Sequence, residues 1–207
     1  MITTEISNKP ASPKLGRPLS FDRDVALEKA MLVFWAHGYE AASLADLTAA
    51  MGITPPSLYA AYGDKKRLFL EAVDLYCTQP MSAEQIIAQA KNAAEAARQM
   101  LEGSAIHFTG QNTPPGCLLA TGAISCSAAA ADVQAVLGNI RKQTESHLHA
   151  KITVDIASGI MPLETDADLL ATYVMALIQG MSTLARDGAS RATLLTLADA
   201  MMRGWPV

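Results

Sequence analysis

Gly52-Ile53-Thr54-Pro55-Pro56-Ser57-Leu58-Tyr59-Ala60-Ala61-Tyr62-Gly63-Asp64-Lys65 is the stretch on which the reading of this chain turns. Gly52 ends one helical pattern, and Thr54 is placed to cap the next. Pro55 suits the first helical position, where a missing N–H has no helical partner to lose. Pro56 also lacks a donor, so the Thr54 hydroxyl has to take the amide of Ser57. The result is a very short helix with a stiffened N-terminus. Small side chains at Thr54, Pro55, Pro56 and Ser57 permit close approach to another surface, and a helix N-terminus favours a phosphate. Leu58 is the expected core anchor. Tyr59 and Tyr62 stand on neighbouring faces, so one phenol can bind phosphate while the other packs inward. Gly63 and Asp64 turn the chain into a further helix that starts beside Lys65. With a preceding helix opening at Ser43, the unit is a helix-turn-helix, whose second helix lies in the major groove of DNA.

Working upstream, Ser20 reads as an N-cap with Asp22 and Asp24 in the first turn. Leu27, Ala30, Met31, Phe34 and Trp35 form one apolar stripe, which Gly38 ends. Ser43 and Asp46 make a short capping box for a helix with Leu44, Leu47 and Met51 inside. Residues 1–19 read as a flexible basic arm carrying Lys9, Lys14 and Arg17, or equally as an inert tail. Downstream, Asp64 caps a helix through about Cys77, built on Leu68, Phe69, Ala72, Val73 and Tyr76. Pro80 breaks the chain. From Ser82 one long helix is expected on Ile86, Ala90, Ala94, Ala97 and Leu101. A loop with Pro114 and Pro115 spans 110–116, followed by a short apolar helix over about 118–127 and a long one over about 130–157. The next helix starts at Asp166 or Asp168 and carries Leu170, Tyr173, Val174, Leu177, Met181 and Leu184. A last helix follows Gly188 on Leu194, Leu197, Met201 and Trp205. No strand alternation of useful length appears. The expected fold is all-α with about nine helices: the arm, a three-helix helix-turn-helix domain over 20–63, a connecting helix over 64–77 and a larger helical domain over 78–207.

Composition agrees with this pattern. Half of the 207 residues are hydrophobic and only 5% are aromatic, with alanine abundant, which favours closely packed helices. The net charge of −4 excludes a basic chain that binds nucleic acid by bulk charge. Contacts must come from local groups, such as the arm and the cluster Lys65-Lys66-Arg67. Cys77, Cys117 and Cys126 in a chain with no secretory h-region point to a reducing cytoplasm. No uninterrupted apolar run approaches about 18 residues, so no membrane partner is expected.

Residues 16–77 resemble the DNA-binding domain of the TetR (tetracycline-repressor-like) family of bacterial transcription regulators. The resemblance is carried by Ala30–Phe34, Gly38-Tyr39, Ser43-Leu44, Asp46-Leu47, Met51-Gly52-Ile53, Ser57 through Tyr62 and Asp64 through Phe69. It implies that Thr54, Ser57, Tyr59 and Lys65 contact DNA backbone or bases. It further implies that Gly38-Tyr39 and Ser43 support the domain and touch phosphate, and that Arg17 approaches DNA from the arm. Two positions depart from the family's habit. Ala61 stands where a phosphate-binding His, Asn or Tyr is common, and Pro56 stands where a small Gly or Ala is common. The resemblance also implies that 78–207 is an effector-binding and dimerisation domain.

The residues give partial support of their own. The last two helices are apolar over wide arcs, which suggests a four-helix interface between two copies using Leu170, Val174, Leu177, Met181, Leu184, Leu194, Leu197 and Met201, the alternative being a buried pair within one chain. Two-fold symmetry would match a palindromic double-stranded operator. Met100, His107, Phe108, Cys117, Leu118, Thr121, Cys126 and Tyr173 are candidates to line an effector pocket. Their low charge favours a small apolar or weakly polar ligand. Cys117, after Gly116 at a helix start, is either a thiol or electrophile sensor or an inert buried cysteine. His147 and His149 fall on different helix faces and make a poor metal pair. Neither a nucleophile triad nor a phosphate loop is visible, so no enzyme activity, metal or cofactor is expected. The expected function is a ligand-responsive transcriptional regulator, a repressor released from its operator by its effector. The competing class is a helical small-molecule-binding or thiol-redox protein without operator binding.

Overall fold

Eight of the helices begin where a short polar side chain takes a backbone amide of the first turn. The computed structural model describes residues 21–78, 82–124 and 126–206, and these residues hold ten α-helices, one short 3-10 turn and no strand. The helices are α1 (Arg23–Ala41), α2 (Leu44–Met51), α3 (Pro55–Tyr62), α4 (Lys65–Cys77), α5 (Ala83–Gln89) and α6 (Ala93–Phe108). Beyond the 110–116 loop come α7 (Leu118–Thr121), the 3-10 turn Ala128–Ala130, α8 (Ala131–Ala157), α9 (Ala167–Arg186) and α10 (Arg191–Arg203).

Three local expectations are corrected. Asp22, not Ser20, caps α1, its carboxylate accepting from the amides of Asp24 and Val25. The long helix expected from Ser82 is two helices. Ala90 is extended, Asn92 caps α6 by accepting from Glu95, and the buried Asp155 of α8 accepts from the Ala93 amide at 2.6 Å. The Asn92–Glu95 spacing is a start signal that the alanine periodicity hid. The helix expected over 118–127 stops at Thr121. A side chain at Gly122 would meet the Leu118 carbonyl at 2.5 Å, and the Gly122 carbonyl is taken by the Tyr39 amide at 2.7 Å. The arm and Arg17 lie outside the described residues.

Two apolar cores result. One gathers α1 to α4 around Phe34, Phe69, Leu58 and Tyr62, and extends to Leu118, Val133 and Leu137 of the second half. The rings of Phe34 and Phe69 meet edge to face at 5.0 Å, locking α1 to α4. The other gathers α5, α6, α8, α9 and α10 around Leu101, Leu148, Ile152, Val174, Met181 and Leu194.

Candidate nucleic-acid interface and ligand cavity

The second helix of the reading unit is held from below and bare above. Gly52 adopts φ 70° and ψ 33°, the left-handed geometry that ends α2 and starts the turn. The Thr54 hydroxyl accepts the Ser57 amide at 3.4 Å and lies 2.9 Å from the Ser57 hydroxyl. Leu58 is fully buried, while Thr54, Pro55, Pro56 and Tyr59 are exposed. Tyr59 is 49% exposed and keeps its phenol on the outer face. Ser43 is also exposed at the start of α2, but its hydroxyl and amide both donate to Asp46. Those two bonds hold the Asp46 carboxyl below its usual range. Lys65 lies beside this surface with its ammonium 4.8 Å from the Tyr39 ring centre and 3.3 Å from the Glu40 carbonyl. Partial burial pushes its pKa down, yet an ammonium above an aromatic face retains its charge and its reach. Lys66 is paired with Asp132, which leaves Arg67 exposed at the head of α4.

Tyr62 is corrected. It is 1% exposed, and its hydroxyl donates to the Arg23 carbonyl at 2.7 Å. The Arg23 guanidinium covers its ring at 4.5 Å and pairs with Glu71 at 2.5 Å. Of the two phenols weighed from the sequence, Tyr62 is the one that packs inward.

A cavity of about 560 Å³ lies in the second half, between the end of α4 and helices α5 to α9. Its volume is in the range of roughly 300–1,000 Å³ typical of small-molecule sites. Met100, His107, Phe108 and Cys117 line it, as expected. The other four candidates do not. Leu118 turns one position round and packs into the first core. Thr121 donates to the Cys117 carbonyl at 2.9 Å and sits against Arg186. Cys126 packs at the edge of the first core. Tyr173 is 55% exposed on the outer face of α9. Tyr76, Arg141, Met175 and Ile178 are lining residues that the sequence reading missed. Tyr76 lay on the inner stripe of α4, and nothing in the pattern of the long α8 singles out Arg141.

At the inner end of the cavity the Tyr76 hydroxyl donates to the Cys117 sulfur at 3.4 Å and meets His107 Nε2 at 3.1 Å. Burial drives all three toward their neutral forms: the Tyr76 phenol and Cys117 thiol are raised, and His107 is lowered. Burial also pushes the Cys77 thiol up to about 11. Trp35 of α1 closes this end. Its ring stacks on His107 and meets Tyr76 edge-on, both at 5.0 Å, and its Nε1 donates to the Gly116 carbonyl at 3.0 Å. Arg186 of α9 donates to the carbonyls of Trp35 and Ala36 at 3.2 and 2.9 Å. The end of α1 therefore touches the cavity wall directly.

The expected dimer stripe is also corrected. Val174, Met181, Leu194 and Met201 are buried in their own chain's core, and Leu170, Leu177 and Leu197 pack against it. Only Leu184 of that set is exposed, at 41%. The open apolar face of α9 is instead Leu169, Tyr173, Ala176, Gly180 and Leu184, a helical spacing of three to four.

The model for bacterial regulatory proteins of the tetR family matches residues 26–72. The HTH-type transcriptional repressor ComR of Escherichia coli (strain K12) is 37% identical over 193 residues, which is 92% of each chain. This chain belongs to the TetR family. The HTH-type transcriptional repressor BdcR of the same organism is 27% identical over 201 residues, 96% of this chain and 93% of its own. Among solved structures, the TetR regulator CifR, a cysteine mutant complexed with 26-base-pair double-strand operator DNA, superimposes with a TM-score of 0.86. It is 38% identical and covers 92% of this chain and all of its own.

Proposed function

We propose that this TetR-family chain is a dimeric transcriptional repressor of the bacterial cytoplasm. It holds a palindromic double-stranded operator through α3 and releases it when a small molecule fills the cavity. The observation that carries the reading is the contact between the two sites. Trp35, on the first helix of the DNA-binding unit, packs directly behind the aromatic end of the cavity, against the lining residues His107 and Tyr76 and against Gly116. A ligand that moves His107 or Tyr76 therefore acts on α1 and on α4 together, the two helices that carry α3. Differential affinity for the DNA-bound and released arrangements would be enough to shift the balance.

On DNA, Thr54, Pro55, Ser57 and Tyr59 form the reading surface, with Lys65 and Ser43 at its margin and Arg17 from the arm. Ser43 acts mainly as a cap. The absence of a polar side chain at Ala61 is offset by the exposed Arg67 nearby in the chain. The exposed α9 stripe gives the second copy a place to pack, with Ala176 and Gly180 allowing close helix approach. That use also accounts for α9 being apolar enough by length and composition to cross a membrane.

The test is fluorescence anisotropy of the purified chain on its own promoter region, at several salt concentrations. A specific, saturable site of two-fold symmetry supports the reading. Salt-sensitive binding with no preferred sequence sinks it in favour of a ligand-binding protein without an operator.

A further inference from the structure

The walls of the cavity are mostly apolar, yet they include one half-buried permanent cation. Arg141 of α8 lines it beside Ile140 and Thr144. One guanidinium nitrogen donates to the Leu119 carbonyl, and among the described residues no carboxylate lies within 4.0 Å of Arg141. The other charged lining residue, Glu84, is exposed at the start of α5. At the inner end burial favours the neutral forms of the Tyr76 phenol, the His107 imidazole and the Cys117 thiol, and the wall also carries Ser104, Gln143, Thr144, His147 and Gln179. A guanidinium carries five N–H donors, and one carbonyl leaves most of them to other partners. Holding such a group against apolar surface is unfavourable unless an acceptor, best an anion, meets it. Its planar fork matches a carboxylate in a bidentate pair.

We infer that the effector is an amphiphilic carboxylate. Its head pairs with Arg141 near Cys117, and its apolar body lies along Met100, Phe108, Met175 and Ile178. This sharpens the weakly polar ligand expected from the sequence, and it rests on the cavity being the effector site. A neutral ligand of the same shape would leave the guanidinium with its single carbonyl partner, so the acid should be preferred over its alcohol. The magnitude is about tenfold in affinity, the share of one charge-assisted hydrogen-bonded pair.

The experiment uses the full chain and three matched pairs: octanoate with octan-1-ol, decanoate with decan-1-ol, and 4-phenylbutanoate with 4-phenylbutan-1-ol. Binding is read by calorimetry and by tryptophan fluorescence in a Trp205→Phe background, where Trp35 remains and packs on the lining residues His107 and Tyr76. At least one acid should bind about tenfold more tightly than its alcohol. Arg141→Met should erase that preference without weakening the alcohol, and Arg141→Lys should keep part of it. Where Arg141→Met loses both ligands, Arg141→Lys decides: a retained acid preference supports the proposal, and none overturns it. The proposal is also overturned if no acid binds, if the alcohols bind as tightly, or if the preference survives Arg141→Met. Operator anisotropy in the same samples separates the two readings. Acid binding through Arg141 with unchanged operator affinity would refute release by ligand and leave the ligand class standing. Release by alcohols but not acids would do the reverse.

Discussion

Replacing Gly38 by alanine should be among the more destabilising single-methyl additions available in this chain. Gly38 adopts φ 79° and ψ 172°, in the extended positive-φ region that is essentially glycine's alone, and a residue held there costs of order 1–3 kcal/mol. Space is also short. A Cβ at Gly38 would stand 3.2 Å from the Gly122 carbonyl oxygen, the same atom that accepts the Tyr39 amide at 2.7 Å. Relief by a backbone shift would break that bond at a buried site, for about 1–3 kcal/mol. Since shift and strain trade against one another, the net loss is about 2–4 kcal/mol, a large fraction of an ordinary domain's stability. Gly52→Ala is the control. Gly52 also has a positive φ, at φ 70° and ψ 33°, but a side chain there would meet no atom within 4 Å. It should lose only roughly 1–2 kcal/mol, and Gly52→Asn less again. Both variants are compared by urea unfolding followed by circular dichroism, at one protein concentration and without ligand, so that dimer and ligand linkage are held fixed. If Gly38→Ala unfolds within about 0.5 kcal/mol of wild type, or no earlier than Gly52→Ala, the account of the α1–α7 joint is wrong.

The tyrosines of α3 should separate cleanly. Tyr59→Ala should lower operator affinity about tenfold with stability within about 0.5 kcal/mol of wild type, whereas Tyr62→Phe should lose about 1 kcal/mol of stability and leave operator affinity unchanged, as read by anisotropy and melting. Lys65→Met should weaken binding to all sequences alike and reduce the salt slope by about one, measured from log affinity against log salt. Because burial lowers His107 below its ordinary 6.5, the unfolded chain takes up a proton more readily there. Its contribution is then present above about pH 6.5 and lost as pH falls through the window down to the folded value; denaturation midpoints from about pH 7.5 to 5.5 should drop, and less so in His107→Gln. With burial pushing Cys77 up to about 11, its thiol should react with iodoacetamide much more slowly in the native protein than after unfolding, and labelling at the unfolded rate in the native protein at neutral pH would contradict its placement.

What could be read from the sequence is what local chemistry dictates. Thr54-Pro55-Pro56-Ser57 can satisfy its first-turn amides in one way, and the structure adopts it. The all-α fold and the reading helix follow from such caps together with the positive-φ glycines at 38, 52 and 63. Alanine defeats the same logic. Ile86, Ala90, Ala94, Ala97 and Leu101 keep helical spacing straight across the break at Ala90, because small residues pack on either side of a turn as readily as within a helix. The four pocket candidates that do not line the cavity failed for a different reason. Cys117 and Leu118 are adjacent and equally apolar, yet one faces the cavity and the other a packed core. Hydrophobicity reports removal from water and does not distinguish a wall that waits for a ligand from one already filled by protein.

The two faces of α9 make the same point with consequences for the assembly. Periodicity correctly found a wide apolar arc over Leu169 to Leu184, but an arc wider than one interface has two candidate halves. Val174, Met181 and Ala185 look inward to α6 and α10, and Leu169, Tyr173 and Leu184 look out. The inner half reaches the DNA-binding unit through a short series of contacts. Ser182 is fully buried and accepts the Cys117 amide at 2.8 Å, while a side chain at Gly116 would meet the Ser182 carbonyl at 2.8 Å. Gly116 in turn accepts Trp35 Nε1. In the proposed dimer one helix would offer its outer face to a second copy, while its inner face fixes the position of α1 against the cavity wall. A change in how two copies pack on α9 and a change in what fills the cavity would both be felt at Trp35. On the proposed function, the spacing of the two α3 helices would then depend on ligand through contacts already present in a single chain.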